Sequence, residues 1–106
     1  MSDDDRIELG GNIELSGFRD IDGATMIVLK KIIGSYARKF SDTCKKFESL
    51  SVTMKKVHER EISEKYEIHV KLLDNGKPLV SEVTDFNMFF AIDTALKKVE
   101  NEIQHD

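Results

Sequence analysis

Apolar residues recur at helical spacing in two long stretches of the chain and alternate with polar residues between them. Over 84–103, Phe86, Phe89, Ile92, Leu96, Val99 and Ile103 follow one another at steps of three or four, which puts them on one stripe of an α-helix. Asp85 stands just before the stripe, where a carboxylate can accept a backbone N–H as N-cap. Asp93, Lys97, Glu100, Asn101 and Glu102 fall on the opposite, wet face. Such a helix is not stable alone in water and needs a surface to lie on. A second helix is expected from about Gly23 to Ser41, capped by Asp20 or Asp22, with Met26, Leu29, Ile33, Tyr36, Ala37 and Phe40 as its core stripe. Lys31, Ser35, Arg38 and Asp42 point away from that stripe, and Lys30 and Lys39 flank it. Gly34 lies on the exposed side, at a cost of about 1 kcal/mol relative to alanine. It reads as a tolerated surface glycine or as a point of close approach by a partner.

The intervening segments have the period of strands. Leu50, Val52 and Met54 alternate with Ser51, Thr53 and Lys55; Tyr66, Ile68, Val70 and Leu72 alternate with Lys65, Glu67, His69, Lys71 and Leu73. His58-Glu59-Arg60-Glu61 reads as a polar loop or a twisted hairpin end. Asn75-Gly76 suits a type I′ turn, and Pro78 to Thr84 forms the next short strand, with Leu79 and Val83 on one face. Near the start, Ile7-Glu8-Leu9 and Ile13-Glu14-Leu15 flank Gly10-Gly11-Asn12. They form a small hairpin or a frayed extension before one strand, and a first strand at about 12–18 is the favoured reading. Residues 1–6 are expected to be disordered.

The expected order is β-α-β-β-β-α. Three strands joined by short turns are antiparallel, and strands with one apolar face are covered on one side only. The fold class is therefore α+β: a two-layer sandwich with a mostly antiparallel sheet and both helices on one face. The open face should carry Ser51, Thr53, Lys55, Lys65, Glu67, His69 and Lys71.

At 106 residues the chain is the size of one domain, read here as spanning 1–106, and 40% hydrophobic with 34% charged residues is a globular composition. No apolar run approaches the roughly 18 residues that span a membrane. MSDDDRIEL lacks the features of a signal peptide, so the expected compartment is the cytoplasm. The net charge of −4 is unevenly spread: residues 1–29 carry −5, residues 30–77 carry +5 and residues 78–106 carry −4. A basic middle attracts a polyanion, although lysines that keep strands soluble and block edge pairing account for the same bias.

The sequence holds no Gly-rich phosphate loop, HExxH, CxxC or GxSxG, so no enzyme activity and no cofactor is expected. The single Cys44 excludes a disulfide within the chain and a thiol-rich zinc site; its neighbour Lys45 leaves a lowered thiol pKa open. His58, His69 and His105 are far apart, none is in metal-ligand spacing, and no metal is expected. For nucleic acid the candidates are the basic pairs Lys30-Lys31, Arg38-Lys39, Lys45-Lys46 and Lys55-Lys56, which hold phosphate as point charges without reading sequence. The sheet offers no exposed aromatics for base stacking, so recognition of structured RNA by shape is favoured.

From about Ile13 onward the chain resembles the short ribosome hibernation-promoting factors, also called ribosome-associated inhibitors. The resemblance is carried by Ile13-Glu14-Leu15-Ser16-Gly17, Tyr36-Ala37-Arg38-Lys39-Phe40-Ser41-Asp42, Leu50-Ser51-Val52-Thr53-Met54 and Tyr66-Glu67-Ile68-His69-Val70 with Asn75-Gly76. Its closest stretch is Asp85 to Val99, through Asp85, Met88, Phe89, Ala91-Ile92-Asp93 and Lys98. It implies a β-α-β-β-β-α fold that binds the small ribosomal subunit between head and body, overlaps the messenger and transfer RNA sites, and holds the ribosome inactive under stress. Lys30, Lys31, Arg38, Lys39, Lys55 and Lys56 are the implied RNA-binding residues, with Lys97 and Lys98 behind them. The chain departs from the family in its acidic ends, and it is expected to correspond to the short forms rather than to the long forms with their extra C-terminal domain. Two other readings stand beside this one: a non-enzymatic protein-interaction module of the same fold, and a small homodimer paired through an exposed strand edge.

Overall fold

The computed structural model describes residues 6–10, 12–60 and 63–103. Among the described residues, five strands and two helices follow in the order β1 (Ile7–Glu8), β2 (Ile13–Ser16), α1 (Gly23–Thr43), β3 (Phe47–Arg60), β4 (Ser63–Asp74), β5 (Lys77–Asp85) and α2 (Met88–Glu102). The strands lie side by side in chain order in one mixed sheet. Among the described strands only β2 and β3 run parallel, because α1 carries the chain back between them; the other neighbours are antiparallel. Of the two readings of the first residues the hairpin holds, not the favoured single strand: Ile7 pairs with Leu15 and Glu8 with Glu14, which puts one more strand ahead of the expected β-α-β-β-β-α order. Arg6, expected to be disordered, donates from Nη1 to Glu14 Oε2 at 3.1 Å; the expectation for residues 1–5 lies outside the described residues.

Alternate positions of the sheet, namely Leu15, Leu50, Val52, Met54, Ile68, Val70, Leu72 and Leu79, join the buried residues of both helices in one core cluster. All six residues of the expected α1 stripe are buried. The other parity, including Ser51, Thr53, Lys55, Lys65, Glu67, His69 and Lys71, is half-buried or exposed, as alternation requires. The β3–β4 hairpin runs beyond this core, since nothing from Lys55 to Val57 or from Glu64 to Glu67 is fully buried. The strand continues through His58–Arg60, with a register shift there, so the hairpin-end reading is right and the loop reading is not. Glu61 lies outside the described residues.

Two glycines set the connections. Asn75 (φ 51°) and Gly76 (φ 82°) form the two-residue turn with both positions left-handed. Gly17 has φ 86°, and a Cβ there would lie 2.1 Å from the Met54 carbonyl oxygen. The chain leaving β2 therefore crosses β3 with no room for any side chain.

The start of α2 differs from expectation. Asn87, not Asp85, is the N-cap: its Oδ1 accepts the Phe90 N–H at 2.9 Å, while Asp85 Oδ1 accepts the Asn87 N–H at 2.9 Å. With helical geometry beginning at Met88, the inward stripe is Ala91, Ile92, Ala95, Leu96 and Val99, followed by Ile103. Met88, four residues before Ile92, packs against the core in the place expected for Phe89. Phe86 precedes the helix and is 60% exposed; Phe89 is 39% exposed. At the start of α1, Asp22 occupies the N-cap position without a side-chain cap. No helix among the described residues is long and apolar enough to cross a membrane.

Candidate nucleic-acid interface

The basic residues of α1 share one surface. Heptad spacing puts Lys31 and Arg38 roughly 10 Å apart along one face. Lys30, Lys31, Gly34, Ser35 and Arg38 line a shallow groove there. A second shallow groove, lined by Lys31, Ile32, Ser35, Tyr36, Lys39 and Asp93, runs between the helices. Its floor is rigid. Tyr36 is buried, its ring lies 5.0 Å from Lys39 Nζ, and its hydroxyl donates to Asp93 Oδ1 at 3.0 Å. Burial first, and the Asp93 carboxylate second, push the Tyr36 hydroxyl up to about 12. It therefore stays a neutral donor at physiological pH, and Asp93 offsets part of the positive charge between Lys31 and Lys39.

Lys30, Lys31, Arg38, Lys39, Lys55 and Lys56 are all exposed. They do not form one patch. Adjacent strand residues face opposite ways, so Lys55 stands on the open sheet face with Thr53, while Lys56 shares the parity of Met54 on the helix-bearing side. Both sit where the β3–β4 hairpin leaves the core.

The open sheet face and the helix α2 start carry features that hydrophobic spacing did not reveal. Phe86 and Phe90 are 60% and 57% exposed, and Lys65 Nζ lies 5.0 Å above the Phe86 ring. Exposed aromatics are thus present, next to the sheet rather than on it. On the open face, Glu67 and Glu82 converge on His69. At the far end of the molecule, Cys44 is half-buried, and burial followed by the Asp74 carboxylate raises its thiol to about 11. The thiol is therefore protonated at neutral pH, against the lowering that Lys45 suggested.

No protein-family model and no curated relative matches the chain. Solved structures do. A ribosomal subunit interface protein from Coxiella burnetii superposes with a TM-score of 0.58 at 13% identity, over 87% of this chain and 90% of that one. The Protein Y N-terminal domain of Thermus thermophilus superposes with a TM-score of 0.51 at 18% identity, over 86% of this chain and 90% of that one. At such identities the likeness is one of fold, and at that level the resemblance read from the sequence holds: the chain has the two-helix, mixed-sheet α+β fold of these proteins.

Proposed function

We propose that this chain is a ribosome-associated translation inhibitor that docks on small-subunit rRNA and works by occupying space that messenger and transfer RNA need. The observation that carries the reading is the exposed basic face of α1, where Lys30, Lys31 and Arg38 border one groove on a fold shared with a ribosomal subunit interface protein. Lysine and arginine there would neutralise phosphates and release counterions, giving affinity that recognises shape more than sequence. Lys39 extends this face, and Lys55 and Lys56 would make separate contacts from the hairpin. Such a role needs no chemistry from the chain and places it in the cytoplasm, where ribosomes work.

The test is co-sedimentation with purified small subunits over a salt series. Binding that weakens steeply as salt rises supports the reading. Absence of binding at low salt sinks it. It would favour the second reading, a protein-interaction module, which draws on the exposed Phe86, Phe89 and Phe90.

A further inference from the structure

We propose that Glu67, His69 and Glu82 form a binding site for a divalent transition-metal ion of the zinc class, clipping the edge strand β5 to β4. Period-two geometry puts Glu67 and His69 on the same face of β4. The β4–β5 register then places Glu82 directly across from His69. The result is one imidazole between two carboxylates. Glu67 Oε2 lies 2.5 Å from His69 Nε2, Glu82 Oε2 lies 3.9 Å from it, and all three donor atoms lie within 4.8 Å of one another.

These distances bracket what a metal requires. Tetrahedral zinc, with bonds of about 2.0–2.2 Å to nitrogen and oxygen, holds its ligand atoms about 3.3–3.5 Å apart. Small side-chain rotations on a fixed backbone separate Glu67 from His69 and draw Glu82 in. The donor set selects the ion class. Imidazole suits zinc and its neighbours, whereas calcium requires more oxygen ligands than two carboxylates provide, and magnesium gives up its water shell reluctantly and gains nothing from an imidazole. The three residues stand on paired strands rather than a loop, so little backbone order has to be gained on binding. They are also accessible: the His69 and Glu82 side chains are 41% and 60% exposed, which leaves the remaining coordination position to water. Lys55, across from Glu67 in the register, adds positive charge nearby and keeps the expected affinity modest. The site lies on the sheet face opposite the core that holds both helices, so it does not depend on the reading of α1.

The experiment is calorimetric titration of the full, untagged chain with zinc chloride, beside His69→Ala, Glu82→Gln and Cys44→Ser. The expected result is one zinc per chain, unchanged in Cys44→Ser. Affinity should fall by roughly tenfold or more in His69→Ala and Glu82→Gln, since even groups that only support metal ligands account for that much. Circular dichroism should show both of these variants folded, because the changes lie on the solvent-facing side. Magnesium should give no heat. A wild-type chain that binds no zinc at about 100 µM, where a site of roughly 10 µM affinity would be nearly full, overturns the proposal. Equal affinity in His69→Ala overturns it as well.

Discussion

The Tyr36 hydroxyl donates to Asp93 Oδ1 at 3.0 Å, joining α1 to α2 across 57 residues of sequence. It is the polar counterpart of the apolar contact between the helices, and it orients the side chain beneath the Lys31–Lys39 groove. Tyr36→Phe should cost about 1.5 kcal/mol, the low end for a bond to a charged group, because Asp93 is exposed. The raised Tyr36 pKa adds a pH signature. A group whose folded pKa lies above its unfolded value of 10.0 contributes stability that is complete below pH 10 and is lost as pH climbs toward about 12. Urea melts between pH 9 and pH 12 should show that loss in the wild type and a weaker one in Tyr36→Phe. Equal slopes would mean that the hydroxyl is neither buried nor bonded to Asp93 in solution.

Two glycines should respond in opposite directions to the same substitution. Gly17→Ala forces a Cβ against the Met54 carbonyl oxygen at a left-handed φ, and neither β2 nor β3 can yield without losing sheet pairing. A loss of about 3 kcal/mol or more is expected from strain and clash together. A Cβ at Gly34 meets nothing within 4 Å, and the backbone there is helical. Gly34→Ala should therefore stabilise the fold by up to about 1 kcal/mol. Denaturant midpoints of the two variants decide both points, and a destabilised Gly34→Ala would contradict the open groove.

The terminal helix offers a sharper contrast. Leu96 is fully buried in the α2 stripe, so Leu96→Asp places an unpaired charge in the core and should unfold the domain. Phe86→Ser and Phe90→Ser change exposed rings, and each should stay within about 0.5 kcal/mol of the wild type. Thermal melts followed by circular dichroism measure all three. If Phe86→Ser melted as Leu96→Asp does, the helix would begin earlier than Met88.

The miss at Phe86 and Phe89 shows where sequence reasoning runs out. Six of six α1 positions were legible because helical spacing is unambiguous over a 21-residue element. At α2 both Asp85 and Asn87 can cap, and choosing between them rotates the first turn of the stripe. Spacing alone cannot break that tie. The split of Lys55 from Lys56 was readable, since strand neighbours face opposite ways; treating them as a basic pair ignored it. Convergence of Glu82 on His69 was also within reach. A two-residue turn at Asn75-Gly76 pairs Asp74 with Lys77, and counting back along both strands pairs His69 with Glu82. What sequence could not supply is the side-chain approach itself, which depends on rotamers.

Reversing charge on the outer face of α1 separates binding from folding. Lys31 and Arg38 are exposed, lie roughly two turns apart on one face and contribute nothing to the core. Lys31→Glu with Arg38→Glu should therefore leave stability within about 0.5 kcal/mol per site. If this face meets rRNA, two phosphate contacts are lost, and the salt dependence of ribosome association should fall by about two units of slope. Co-sedimentation at physiological salt should then show little or no binding by a variant whose circular dichroism matches the wild type. The two ends of the chain cannot compensate, because residues 1–29 and 78–106 carry net charges of −5 and −4. A control double variant, Lys55→Glu with Lys56→Glu, weakens binding less, since its two charges face opposite sides of the hairpin and one docking surface cannot engage both. Unchanged binding by the folded α1 variant would move the interface off this helix, and a larger loss in the hairpin variant would move it to the end of β3.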